Sequence, residues 1–114
     1  MTRCASCRPN DPCEKHFQAT VIAYAKLRRW RVYHTLHSKG SEPGFPDLIL
    51  IRGEEMIACE LKREGRKPSE AQDAWLAAFN RVQDVSAFCW EPQHWPMIEA
   101  ALAEAAPPLV EAAK

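Results

Sequence analysis

Three side chains in the middle of the chain could do chemistry together: Asp47, Glu60 and Lys62. Residues 47–52 (DLILIR) and 55–62 (EMIACELK) are both apolar and strand-like, and Gly53-Glu54 separates them. A glycine at the first central position of a two-residue loop suits a type II′ hairpin turn. That turn pairs Arg52 with Glu55. The same register sets Asp47 directly opposite Glu60, with Cβ atoms about 5 Å apart. Strand alternation puts Lys62 on the face of Glu60. Two like charges facing each other destabilise a hairpin, and more so on an apolar face, unless something positive lies between them. A hard divalent cation meets that need, because paired carboxylates are Mg²⁺ ligands. Lys62 could then orient or deprotonate a water beside the metal, since burial lowers a lysine pKa. The competing reading is a solvent-facing hairpin edge with an ordinary Glu–Lys pair.

A second group of potential ligands lies at the N-terminus, where Cys4-x-x-Cys7 is followed by Cys13-x-x-His16. Four donors of these types could make a tetrahedral zinc site. Cys13 and His16 would share a face at a helix start. Against zinc, the gap from Cys7 to Cys13 is short and no second CxxC follows, so reduced free thiols are the preferred reading. Cys59 and Cys89, on strands, read as buried apolar residues.

The elements that must position these groups follow from periodicity. Phe17, Val21, Ile22 and Ala25 recur at helical spacing and predict a helix over 13–29. Asp11 is a candidate cap, and Pro12 suits the first turn. Residues 31–36 (RVYHTL) read as a strand, and the glycines and prolines of 37–46 as a loop. After the hairpin and a basic loop at 63–68, a helix is expected over 70–82, with Ala71, Trp75, Ala78, Phe79 and Val82 as its apolar face. Ser69-Glu-Ala-Gln72 makes a good capping box at its start. Residues 85–90 read as a last short strand. A helix over 96–105 would bury Ile98, Ala101 and Leu102. The order α-β-β-β-α-β-α predicts an α/β fold, a mixed sheet flanked by helices.

A chain of 114 residues, 46% hydrophobic, fits one domain and needs no metal or disulfide merely to fold. Fifteen basic residues balance fifteen acidic ones, so global attraction to nucleic acid is not the signal. The charge is uneven, however. Residues 26–40 hold Lys26, Arg28, Arg29, Arg31 and Lys39 without an acid, and Arg63, Arg66 and Lys67 follow the hairpin. Both stretches could track a DNA backbone. No apolar run could span a membrane, and the N-terminus has no apolar signal core, so a cytoplasmic location is expected. Four tryptophans, Trp30, Trp75, Trp90 and Trp95, are many for one small core, and tryptophan is favoured at interfaces.

Gly44-Phe-Pro-Asp47, Glu60-Leu-Lys62 and Ser69-Glu-Ala-Gln72 with Trp75-Leu76 together resemble the PD-(D/E)xK nuclease superfamily. Within it, the chain is most similar to the VRR-NUC family, the virus-type replication-repair nucleases found in phages as compact single domains. The resemblance implies a restriction-endonuclease-like core at 13–106, between an N-terminal Cys-containing extension (1–12) and a C-terminal tail (107–114). It implies Mg²⁺- or Mn²⁺-dependent hydrolysis of DNA phosphodiesters, on structured or branched DNA in phage replication, recombination or repair, in the host cytoplasm. Asp47 and Glu60 match the metal ligands, with the Leu61 carbonyl as an expected third and Glu14 as an outer one. Lys62 matches the catalytic lysine, and Gln72 the glutamine that follows that strand, a catalytic-site residue expected to contact the substrate, to serve only the capping box, or both. His34 and Ser38 match polar positions of the phage members, although a strand histidine is more often a satisfied structural group. One site cuts one strand, so a homodimer is expected on branched DNA. The alternatives are a Holliday-junction resolvase or restriction-type endonuclease and, from another class, a non-catalytic DNA-binding or zinc-binding accessory module.

Overall fold

The computed structural model describes residues 4–8, 11–36 and 41–103. Ser38, Lys39 and the expected 107–114 tail lie outside them. The elements are α1 (Glu14–Leu27), β1 (Arg31–His34), β2 (Leu48–Arg52), β3 (Glu55–Leu61), α2 (Glu70–Asn80), β4 (Val85–Trp90) and α3 (Trp95–Ala103), with a short 3₁₀ turn at Pro92–His94 before α3. The order is the expected α-β-β-β-α-β-α, and the sheet order is β1-β2-β3-β4. The first three strands are antiparallel, while β4 runs parallel to β3 after the α2 crossover. The sheet is therefore mixed. Among the described residues, no helix is long and apolar enough to cross a membrane.

Gly53 takes φ +62° in the two-residue hairpin, the conformation a glycine adopts without strain. Arg52 pairs with Glu55 and Leu48 with Cys59, as that turn dictates. One face of the sheet packs Leu48, Leu50, Ile57, Cys59 and Leu61 against Phe17, Val21 and Ala25 of α1 and Ile98 and Leu102 of α3. The other face packs Ala58 and Ala87 against Leu76 of α2, with Ile49, Phe79 and Cys89 beside them. Residues 57–61 of β3 are thus buried on both faces, as befits a strand between layers.

Several local details differ from the sequence reading. The N-cap of α1 is Cys13, without a side-chain cap bond. Asp11 instead pairs with Arg63 at 3.0 Å. The buried face of α2 centres on Leu76, while Ala78 is exposed and Val82 lies beyond the helix, exposed. A helix ending at Asn80 cannot carry Val82 onto the sheet. Cys89 is half-buried rather than buried. All four tryptophans are seated in the fold, Trp30 and Trp90 buried and Trp75 and Trp95 partly so, which removes the argument from them for an interface.

The C-terminus of α1 explains a strained residue. Arg29 takes φ +74°, a conformation that helix ends usually give to glycine. Trp30 N donates to Ala25 O at 2.9 Å and Arg29 N to Lys26 O at 3.0 Å, the paired bonds of a Schellman cap. Trp30 and Ala25 are both buried, so the hydrophobic contact of that cap holds Arg29 in place.

Candidate active site

The site forms where β2 begins and β3 ends. The β2–β3 ladder ends at the Leu48–Cys59 pair, and one further step would set Asp47 against Glu60. There Asp47 leaves the ladder, and its Oδ2 accepts a hydrogen bond from Leu61 N at 2.9 Å. Thr35 N donates to the Asp47 backbone carbonyl at 2.8 Å, so both neighbouring strands fix this residue.

The segment before Asp47 is anchored on α2. Gly44 has φ +90°, and a Cβ there would lie 2.6 Å from the Ala71 carbonyl carbon. Only glycine allows this approach. Phe45 meets Trp75 edge-on at 5.0 Å, Pro46 is buried, and Trp75 Nε1 donates to Pro43 O at 3.1 Å. The Gly-Phe-Pro-Asp sequence therefore clamps a loop to the helix that carries Gln72.

Glu60 is a buried carboxylate, 2% exposed. Its Oε2 accepts from Gln72 Nε2 at 2.7 Å and lies 3.6 Å from Lys62 Nζ. Its Oε1 is buried with no hydrogen-bond partner. Burial, and then the negative charge of Asp47, raise the Glu60 pKa to about 7, with Lys62 pulling the other way. A buried oxygen without a donor is costly. Two facing carboxylates with one orphan oxygen fit a divalent cation, which would supply the missing positive charge.

Gln72 fills two roles. As N3 of α2 it completes the capping box with Ser69, accepting from Ser69 N at 2.8 Å while its own N donates to Ser69 Oγ at 3.1 Å. Its amide Nε2 then points at Glu60. The side chain links helix start and carboxylate, which the capping pattern alone does not reveal.

On the α1 side, an open cleft of about 130 Å³ is lined by Glu14, Lys15, Gln18, His34, Asp47 and Leu61. Glu14 thus reaches the same place as Asp47, and its Oε2 accepts from Arg63 N at 3.4 Å. His34 is exposed in this cleft, not a buried structural group. Lys15 and Gln18 escaped the sequence reading. Their signal was available, since Gln18 lies one helical turn from Glu14.

The basic residues divide. Arg66 and Lys67 are exposed on the loop between β3 and α2, four and five residues after Lys62. Arg63 is held inward by Asp11 and by the Ser6 carbonyl. Lys26, Arg28, Arg29 and Arg31 are exposed at the far end of α1 and the start of β1, away from Asp47.

The N-terminal ligands do converge. One donor atom from each of Cys4, Cys7, Cys13 and His16 lies within 4.8 Å of the others. The gap from Cys7 to Cys13 is bridgeable because Arg8 and Asp11 exchange two backbone hydrogen bonds, of 3.1 and 3.0 Å, which turn the chain back on itself.

A solved structure described as a VRR_NUC domain protein superposes with a TM-score of 0.56 and 20% sequence identity, covering 71% of this chain and 78% of that one. At that identity the likeness shows the fold. No curated protein matches the chain. The family model described as the VRR-NUC domain matches residues 12–89, a stretch that contains Glu14, Asp47, Glu60, Lys62 and Gln72. With a match over more than half its length, the chain belongs to the VRR-NUC domain family, a family of nucleases.

Proposed function

We propose that this protein is a DNA endonuclease that needs Mg²⁺ or Mn²⁺ and hydrolyses phosphodiester bonds through Asp47, Glu60 and Lys62. The observation that carries the reading is the buried Glu60 carboxylate. One of its oxygens has no partner, and it faces Asp47 with Lys62 3.6 Å away. Asp47, Glu60 and the Leu61 carbonyl would hold the cation, with Glu14 as an outer ligand. When bound, the cation supplies positive charge to a phosphate oxygen and acidifies water. Gln72 keeps Glu60 Oε2 in place. The Leu61 N–H does the same for Asp47. Lys62 positions the attacking water and offsets charge that develops on the phosphate. Glu14 in the first turn of α1 and Gln72 in the first turn of α2 both reach this site, so the positive ends of both helices lie near where a phosphate would bind. Arg66 and Lys67 contact the DNA backbone.

The substrate is structured or branched DNA in replication, recombination or repair, of the kind phage-encoded members serve, and the active form is a homodimer. One constellation cuts one strand, and a two-fold pair presents two. Light scattering over a range of concentrations reads that mass directly. The deciding experiment incubates the protein with plasmid, linear and branched DNAs, with Mg²⁺ or Mn²⁺ added or omitted. Nicking or cutting that appears only with added cation supports the reading. Binding without cleavage under every condition replaces it with a non-catalytic module.

A further inference from the structure

The N-terminal cluster has donors of the right kind at the right separations for a second, different metal. Cys4 Sγ lies 3.9 Å from Cys13 Sγ, and His16 Nδ1 lies 3.1 Å from Cys7 Sγ and 3.3 Å from Cys13 Sγ. In tetrahedral zinc, with Zn–S about 2.3 Å and Zn–N about 2.0–2.1 Å, the sulfur–sulfur edge is about 3.8 Å and the sulfur–nitrogen edge about 3.5 Å. The observed sulfur–sulfur edge lies within about 0.1 Å of the ideal, and the two sulfur–nitrogen edges are shorter than it by roughly 0.2–0.4 Å, a fit that a small shift of the imidazole completes. None of the three cysteines is in a disulfide. Three thiols and an imidazole meeting at one point gain little from each other as neutral groups, because sulfur is a weak donor and a weak acceptor.

The surroundings are those of a ligand set already organised. Cys7 N donates to Cys4 O at 3.1 Å, which closes the turn between the first two ligands. Cys13 N donates to Cys7 Sγ at 3.3 Å, a bond that favours the thiolate. Cys13 and His16 stand on the first turn of α1 and are fixed by it.

We propose that Cys4, Cys7, Cys13 and His16 bind one zinc ion in a closed, structural Cys₃His site that fastens residues 4–8 to the start of α1. Four protein ligands leave no open position, so the site holds structure and does no chemistry. Its position gives the clamp a consequence. Glu14 follows the ligand Cys13 directly and lines the cleft beside Asp47. Arg63, which follows Lys62, bonds Ser6 O inside the clamped segment, Asp11 Oδ2 at 3.0 Å and Asp11 O at 3.3 Å. The zinc clamp thus holds the loop after Lys62 through Arg63, and Glu14 through its neighbour.

The test measures zinc in protein purified without chelator and, in parallel, titrates the metal-stripped wild type with Co²⁺. One zinc per chain is expected, with the visible bands of tetrahedral cobalt and a thiolate charge-transfer band. Cys4→Ser and His16→Ala should each lose the metal, while Cys89→Ser keeps it. Stripping zinc should lower the melting temperature by about 10 °C or more. Zinc below roughly a tenth of an equivalent, together with an octahedral cobalt spectrum or none, overturns the proposal. So does a Cys–Cys disulfide in protein kept under reductant. These readouts need no wild-type activity, so they stand whether or not DNA is cut.

Discussion

The two ends of the sheet are both polar, and they are built in opposite ways. At the hairpin-turn end, Arg52 donates to Arg28 O and Leu102 O at 2.9 Å each, pairs with Glu55 at 3.5 Å and lies over the Trp30 ring at 4.3 Å. Trp30 Nε1 donates to Leu102 O at 2.9 Å. The cation here answers the carbonyls left without helical partners at the C-termini of α1 and α3, where a positive charge is favoured. At the other end, Glu60 and Asp47 face each other near the positive N-termini of α1 and α2, and one buried carboxylate oxygen has no partner. The first end is closed on itself and stabilises the fold. The second sets two carboxylates against one lysine and leaves negative charge in excess, as a ligand site does.

The sharpest way to break this contrast is to remove the uncompensated charge. Asp47→Asn and Glu60→Gln should each lower metal-dependent cleavage on the order of a thousandfold or more, and Lys62→Ala about a hundred- to a thousandfold. Circular dichroism should show each variant folded. The Glu60→Gln variant should melt no lower than the wild type without divalent cation, because it relieves a repulsion. Full activity in either carboxylate variant would remove Asp47 and Glu60 from the chemistry. The comparison should vary added Mg²⁺ rather than use a chelator, which would also strip the zinc proposed for the N-terminal cluster.

The next effect is on stability. Gly44→Ala puts a methyl group against the Ala71 backbone and places a non-glycine residue at φ +90°. It should cost about 2 kcal/mol or more, a fall in melting temperature on the order of 10 °C. Gly53→Ala has open space around its Cβ and only the strain of φ +62°, so it should cost roughly half as much or less. Equal losses at the two glycines would show that the contact with α2 does not fix the loop.

What could be read in advance divides along the same lines. The Asp47–Glu60 register was legible because a two-residue turn leaves only one pairing, and Gly53 marks that turn. The Ser69–Gln72 capping box was legible because it is local. The reach of Gln72 to Glu60 was not, because it depends on how α2 packs. The same holds for Leu76, hidden by an apolar pattern that ran on to Val82, past the end of the helix. The convergence of Cys4, Cys7, Cys13 and His16 depended on two backbone bonds between Arg8 and Asp11; Pro9-Asn10 is a turn signal in the sequence, but it does not say which side chains the turn brings together. Asp11 reads as a helix cap locally, yet its partner Arg63 comes from the far side of the hairpin. Short-range rules fix the hairpin register and the Ser69 cap, but not the cap of α1. Tertiary packing decides which polar side chains meet.

A smaller effect concerns pH. Without divalent cation, Glu60 has a pKa of about 7 in the folded protein against 4.5 when unfolded. Between those values the folded state binds more protons, so stability falls as pH rises through that window. Every other titrating group is common to both proteins, so the informative quantity is the difference between wild type and Glu60→Gln. Melting temperatures measured across the window should diverge in favour of Glu60→Gln as pH rises, and added Mg²⁺ should close the gap. A constant difference at every pH would show that Glu60 is not strained by its charge.

The smallest effect separates the two basic regions. Lys26 lies twelve residues after Glu14 on α1, about 18 Å along the axis, and Arg28, Arg29 and Arg31 lie beyond it. At physiological salt, charges are screened within about 8 Å. Arg29 is also committed to the Schellman cap, and Arg28 Nη2 donates to Ala103 O at 3.4 Å. A duplex seated at Asp47 and Glu60 would have to run along the whole length of α1 to meet these groups. Arg66 and Lys67, in contrast, stand on the loop between Lys62 and the N-terminus of α2. Neutralising Lys26 and Arg31 together should therefore change cleavage by about twofold or less, whereas Arg66→Ala with Lys67→Ala should weaken DNA binding several-fold and flatten its salt dependence by roughly one to two units of slope. Binding titrations at two or more salt concentrations separate the cases. A larger loss from Lys26 and Arg31 than from Arg66 and Lys67 would mean that the duplex lies along α1 and that the hairpin-turn end, closed though it is, takes part in recognition.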